Sequence, residues 1–238
     1  GGGPQTRDHH GVLDHLDALL DRSTAGQCRG QARCLEADDG HHEHQHAVAR
    51  GFAKDVEGGA EEAAARLDGG EHLITISGGD VVRLFNVSAG VSLTLKNLTL
   101  INGRAIGLDG EPTLDGGEGK GGAILVTGGE LSLIGCRVSA NIAVGGAGGN
   151  GNLDFRGTPM NFGSGGAAFA GAIYIDGGAL SATNCEFAGN TALGGDGGIT
   201  ASYILVPPPK TGGNACGGAI FNHNGTLNLN NCLFSSNS

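Results

Sequence analysis

Tryptophan is absent from this 238-residue chain, methionine occurs once, and aromatic residues make up only 4%. That scarcity excludes a rounded core filled by large rings and predicts a thin interior of small and β-branched side chains. Proline numbers 6 and no strict G-X-Y period exists, so collagen is excluded. No apolar run approaches the ~20 residues that a membrane-spanning helix needs. Basic groups are outnumbered 14 to 24, for a net charge of -10. That balance argues against a nucleic-acid partner or a polybasic membrane contact.

Glycine is what the chain has in excess, 48 of its 238 residues. Charge is unevenly placed. Residues 1–71 carry 14 acidic and 7 basic groups, while residues 72–238 carry 10 and 7. Two kinds of polypeptide therefore meet near His72. "GGGPQTRDHH" at the front lacks both Met and a signal-peptide core, and "CLFSSNS" stops without a cap, so the chain is expected to be part of a longer protein.

One phrase occurs three times. "GGAILVTGGELSLIGCRVSAN" (121–141) returns as "AGAIYIDGGALSATNCEFAGN" (170–190) and as "GGAIFNHNGTLNLNNCLFSSN" (217–237). Leu131, Leu180 and Leu227 coincide, as do Cys136, Cys185 and Cys232, and each phrase closes on an asparagine: Asn141, Asn190, Asn237. A period of 47 to 49 residues signals a solenoid, propeller or array. Within the phrase, Leu131, Leu133, Cys136 and Val138 follow strand alternation with one extra step at Ile134–Gly135. Each phrase thus reads as three short strands and three corners, stacked in parallel about 4.8 Å from its neighbour. Like residues then form inward ladders. The closing asparagines are expected at left-handed corners with their amides stacked. An earlier unit spans Leu73–Gly103, with Leu93, Leu95, Leu98 and Leu100 on the template, giving about four turns. The glycine-rich segments Arg104–Lys120, Ile142–Phe169 and Thr191–Cys216 all leave from the corner after the asparagine. They read as flexible loops along one edge, where a partner would be met.

GGAI followed by FxxN resembles the polymorphic outer membrane protein repeat. It stands at Gly121–Ile124 with Val138–Asn141, Ala170–Ile173 with Phe187–Asn190, and Gly217–Ile220 with Phe234–Asn237. Val138 replaces the motif's Phe and Ala170 its first Gly. Residues 73–237 resemble the right-handed parallel β-helix proteins of bacterial surfaces. The resemblance implies a secreted or surface-displayed passenger, often an adhesin. The expected fold is therefore all-β, a right-handed parallel β-helix over 73–238. Residues 1–72 are expected to be a helical cap, a poorly ordered segment or an artefact, since 11–22 and 43–67 carry helix-like patterns.

"HHEHQH" fits H-E-x-x-H: on a helix, His42 and His46 would bind zinc with Glu43 as general base. The apolar helix such a pair needs is missing, and Ala49 and Phe52 stand where the extended motif requires glycine and histidine. The tract reads as solvated and polar, and no metal or cofactor is expected. Cys136, Cys185 and Cys232 read as buried thiols in one column, with an inter-turn disulfide geometrically allowed. Cys28 and Cys34 could pair in an oxidising compartment, and Cys216 stands alone. β-helix lyases and glycosidases cluster carboxylates on one outer face. Here Glu130, Asp176 and Glu186 recur at no common position, and only Asp109–Glu118 concentrates acids, enough for weak calcium binding. The column Thr94, Ser132, Ser181 and Asn228 is too mixed for ice binding. Asn86, Asn97 and Asn224 fit the N-glycosylation pattern but read as corner composition.

These features point to a non-enzymatic scaffold at the bacterial cell surface or outside the cell, with no catalytic residue. Its glycine-rich loops are expected to recognise a surface glycan or protein, and its uncapped last turn could associate end to end. A polysaccharide-active β-helix enzyme with catalytic turns outside this chain is the alternative.

Overall fold

The computed structural model describes residues 63–151, 162–199 and 210–238, together with the backbones of the strands Leu35–Ala37, Ala47–Arg50 and Lys54–Val56. It is all-β; no helix occurs among the described residues. Among the described residues, twenty-three strands form five sheets, and every strand pair is parallel except Leu35–Ala37 with Ala47–Arg50.

The repeated phrase becomes three strands in order, as in Ile124–Thr127, Glu130–Ile134 and Arg137–Ser139. Each lies between its equivalents from the neighbouring passes of the chain. Leu131 pairs with Leu93 on one side and Leu180 on the other, and Leu180 pairs with Leu227. Val138 likewise sits between Leu100 and Phe187. Residues 47 to 49 apart are thus vertical neighbours, as the period requires.

Alternation sends one side of each strand inward. Val91–Lys96 alternates buried and half-buried along its whole length. The inward residues form one continuous core, in which Leu95, Leu133, Val138, Ile173, Ile175 and Phe187 are fully buried. The Phe187 and Phe234 rings stack at 4.8 Å with planes 8° apart. Volume is conserved between passes: Leu133 and Val138 in one become Ala182 and Phe187 in the next, a kind of exchange that cores tolerate well.

Two features differ from expectation. Residues 43–67 are not helical where they are described: Ala47–Arg50, Lys54–Val56 and Ala63–Asp68 are strands. Ala63–Asp68 pairs in parallel with Val91–Lys96 and packs Ala65 and Leu67 against the core, so partner pairing overrides the helix preference of Ala, Arg and Leu. Parallel stacking therefore extends upstream of Leu73. Residues 11–22, the His42–His46 tract, Cys28 and Cys34 lie outside the described residues.

The second difference concerns the closing asparagines. The left-handed residue is the one before: Ala140 (φ 53°), Gly189 (62°) and Ser236 (52°). Asn141 and Asn190 point inward and are fully buried. Asn141 Nδ2 donates to Asn190 Oδ1 at 2.9 Å, and Asn190 Nδ2 donates to Asn237 Oδ1 at 2.9 Å. The same oxygens accept the backbone N–H of Asn141 and Asn190, and the second amide protons reach Leu100 O and Val138 O. Each internal amide is thereby satisfied, as burial demands.

Candidate functional site

After the asparagine each pass continues into a fourth strand: Arg104–Ile106, Ile142–Val144 and Thr191–Leu193. It returns through a fifth: Gly119–Lys120, Ala168–Phe169 and Ala215–Cys216. Between them run the glycine-rich segments, and their described parts are not loose loops. They are extended arms locked together by backbone hydrogen bonds.

The pattern repeats every third residue. Gly107, Gly110 and Thr113 donate to the carbonyls of Val144, Ala147 and Asn150. Gly145, Gly148 and Gly151 donate in turn to Leu193, Asp196 and Ile199. Outgoing arms thus stack in parallel. The remaining third of each arm meets the returning arms in antiparallel sense. Gly146 and Gly149 donate to Gly117 and Leu114, while Gly166 and Gly163 donate back to Gly146 and Gly149, all at 2.8–2.9 Å. The next pass repeats this, with Gly195 and Gly198 donating to Gly166 and Gly163, and Gly213 donating to Gly195. A three-residue period is that of polyproline II, a conformation with no internal hydrogen bonds, which leaves its peptide groups free for neighbours.

This packing explains the composition. A Cβ on Gly146 would sit 2.0 Å from Leu108 O, one on Gly195 2.0 Å from Gly146 O, and one on Gly166 1.9 Å from Gly117 O. In the second and third outgoing arms two of every three residues face a neighbouring backbone and must be glycine; the third faces out and can carry a side chain. "VGGAGGNG" (144–151) and "LGGDGGI" (193–199) are that rule written out. The period was visible in the sequence, but short G-G runs read more readily as flexible linker.

The outward positions line up across the arms. Ile106, Val144 and Leu193 form one column, Asp109, Ala147 and Asp196 the next, and Asn150 and Ile199 flank a third. Ile106, Leu193 and Ile199 are 58%, 47% and 59% exposed, and Leu108 and Leu114 on the same arms are 84% and 58% exposed. An open depression of about 490 Å³ lies over Asp109, Ala147, Asn150, Asp196 and Ile199. Within Asp109–Glu118, the stretch with enough acids for weak calcium binding, three of them are engaged with their surroundings. Asp109 Oδ1 accepts from Ala147 N at 2.8 Å, Asp115 Oδ1 accepts from Ser164 N at 2.6 Å, and Glu118 pairs with Lys120 at 2.6 Å. That contact leads the upward push on the Lys120 ammonium. Among the described residues, no group of three or more His, Cys, Asp or Glu side chains converges to hold a metal.

On the sheet side, Lys120 Nζ lies 5.2 Å from the centre of the Tyr174 ring, which stacks on Phe221 at 5.6 Å. Burial raises the Tyr174 phenol. Asp176 Oδ1 meets His223 Nδ1 at 2.9 Å. Asn97 Nδ2 bonds Asp68 and Gly70, and Asn86 Oδ1 accepts from Arg83, so both sequons are tied into the scaffold. Thr94, Ser132, Ser181 and Asn228 are in register as one outward column. Leu227, Leu229 and Phe234, inward-facing in the last described pass, are 39%, 40% and 43% exposed. Among the described residues, no helix is long and apolar enough to cross a membrane, a statement that leaves β-barrels aside. No family model, curated protein or solved structure matches this chain.

Proposed function

We propose that the passes are turns of a right-handed parallel β-helix and that the protein is a non-enzymatic scaffold of the cell surface or the extracellular space. In this reading it recognises a protein partner through the outer face of its glycine arms. The observation that carries this is the exposure of aliphatic side chains on arms that are themselves fixed in place: Ile106, Leu193 and Ile199 in the outward columns, with Leu108 and Leu114 on the first arm. Exposed apolar groups in one region mark interaction surfaces. Rigid arms lose little freedom on binding, so little of the contact energy is spent on ordering them. The columns that include Ile106, Leu193 and Ile199 hold no aromatic ring for stacking a sugar, and Asp109 and Asp196 sit between them. The matching partner is a protein face that is apolar with cationic side chains.

The test replaces Ile106, Leu193 and Ile199 together by serine in the whole protein and measures capture of surface proteins from intact cells. Loss of binding with unchanged circular dichroism is expected. Unchanged binding, or salt-independent binding to purified polysaccharide alone, overturns the reading.

A further inference from the structure

The hydrogen bonds from one arm to the next all run the same way. Gly107 donates to Val144 O and Gly145 to Leu193 O; Gly110 donates to Ala147 O and Gly148 to Asp196 O; Thr113 donates to Asn150 O and Gly151 to Ile199 O. The returning arms agree. Gly116 donates to Ser164 O and Gly165 to Thr211 O, while Gly119 donates to Ala167 O and Ala168 to Asn214 O. Each of these N–H groups points toward the next pass and each carbonyl toward the preceding one. In an ordinary β-sheet the strand dipoles alternate and nearly cancel. Here the dipoles of these peptide units add, as they do along a helix. The stack of arms therefore has a negative edge, at its first members.

That edge is open among the described residues. Arg104–Ile106 and Gly119–Lys120 are both edge strands. The preceding pass crosses from Ile74–Ser77 to Phe85–Ser88 by the short turn 78–84 and sends out no arm. It meets the base of the first arm where Arg104 N–H donates to Val82 O at 3.0 Å. Beyond that contact, no described N–H donates to the carbonyls of Ile106, Asp109, Pro112, Asp115 or Glu118. A further arm has no room there. A Cβ on Gly146 or Gly149 would point at the first arm, 2.0 Å from Leu108 O and 1.8 Å from Glu111 O. By register, Leu108 and Glu111 hold the same two places in the first arm, so their side chains fill the space that another backbone would need. Leu108 is 84% exposed, and Val81, next in the chain to the Val82 contact, is 74% exposed.

Residues 105–118 hold four acids and no base. Asp109, Asp115 and Glu118 have the partners given above, whereas the exposed Glu111 side chain has none among the described residues. Acids at the negative end of aligned dipoles are the reverse of what the field favours. Carbonyls and carboxylates with apolar groups between them are complemented by Arg and Lys, which carry donors only. Their aliphatic stems pack on exposed groups such as Leu108 and Val81, and their thin heads reach carbonyls that a backbone cannot approach. The carbonyls of Ile106, Asp109 and Pro112 recur at every third residue, about 9.3 Å in polyproline II geometry. Every third side chain of a partner in that conformation has the same spacing.

We propose that this edge docks an extended, polyproline II-type segment of a protein partner that carries Arg or Lys at every third residue. The inference rests on the proposed function for the partner being a protein, and it adds a contact surface separate from the outward columns of the arms.

The test uses two fluorescent peptides of identical composition. One is built of Arg-Ala-Pro repeats; in the other the arginines are clustered at one end. Anisotropy titration of the whole protein is expected to show several-fold tighter binding of the periodic peptide. Equal affinities overturn the proposal, because a chain of net charge -10 attracts both peptides alike. This comparison needs no substitution, so it stands even where a variant fails to fold. Two variants then locate the site. Glu111→Lys and Glu130→Lys change the net charge equally, and Glu130 is an exposed residue in a sheet that contains no arm strand. Only Glu111→Lys is expected to abolish the preference for the periodic peptide; the same effect from both, or none from Glu111→Lys, overturns the edge as the docking site. Failure here is distinguishable from failure of the proposed function. A protein that captures cell-surface proteins through Ile106, Leu193 and Ile199 yet binds both peptides alike keeps the outer face and loses the edge.

Discussion

Asn141 and Asn190, 49 residues apart in the chain, share a 2.9 Å amide–amide hydrogen bond inside a core where both are fully buried. Replacing the middle member of this ladder does the most damage. Asn190→Ala leaves the Asn141 N–H and one of the two Asn141 amide protons without a partner and removes a hydrogen bond to Val138 O. Each orphaned group costs about 1–3 kcal/mol, and together they cost about 3–5 kcal/mol. Asn237→Ala, at the half-buried end of the ladder, costs clearly less. Urea unfolding of both variants measures the difference, and equal losses would refute the ladder as a source of stability.

The glycine arms make a paired prediction. Gly166→Ala forces a methyl group to 1.9 Å from Gly117 O, whereas at Gly212 the nearest atom to the new methyl is 3.3 Å away. Gly166→Ala is expected to cost about 2 kcal/mol or more through strain and lost arm bonds. Gly212→Ala should stay within about 0.5 kcal/mol. Hydrogen exchange at the amides of Gly146, Gly166 and Gly195 should accelerate only in the first variant.

A stabilising change is available at Gly135. This left-handed position (φ 61°) corresponds to Asn97, Asn184 and Asn231, with φ between 51° and 54°. Asn231 Nδ2 already donates to Asn184 Oδ1 at 2.7 Å. Gly135→Asn restores the missing member of that outer column and restricts the unfolded chain, and the contact it meets, Asn97 Oδ1, is the end of a side chain that makes room by a slight turn about its bonds to Asp68 and Gly70. A gain of about 0.5–1 kcal/mol is expected. A lower thermal midpoint would contradict it.

Asp68 sets an acid limit. The Gly70 N–H, then the Arg66 guanidinium and the Lys96 ammonium, hold its carboxyl down to about 2. A carboxylate depressed in the folded state contributes stability that is full above the unfolded value of about 4 and is lost as pH falls through the folded value. Asp68→Asn should therefore flatten the decline in stability between about pH 4 and pH 2, as read by thermal midpoints in low salt. An identical decline in both proteins would assign it to other groups.

The stacking was legible because its signal is long-range and repeated: Leu131, Leu180 and Leu227 cannot recur at one spacing and strand alternation by local propensity alone. The corners were harder. Asparagine favours left-handed geometry, so Asn141 and Asn190 read as corner residues. That conformation falls instead on Ala140 and Gly189, where the outward-facing side needs almost no side chain. Ala63–Asp68 read as helix because nothing local to "AAARLD" announces its strand partner, Val91–Lys96, nearly thirty residues later. The arms were misread for a different reason. Glycine's freedom is evident in composition, whereas its use here, allowing backbones to touch, depends on three chain segments meeting. The column of Cys136, Cys185 and Cys232 followed from register once the phrases were aligned.

Hydrogen bonds cross the middle outgoing arm at every third residue, to the arms on either side of it and to the returning strands beside it. Tension applied along an arm therefore loads these bonds in shear and all at once, not one at a time as in peeling a hairpin. A partner pulling outward on this face would be resisted by the whole plate, so the glycine content that suggests softness supplies a stiff attachment point.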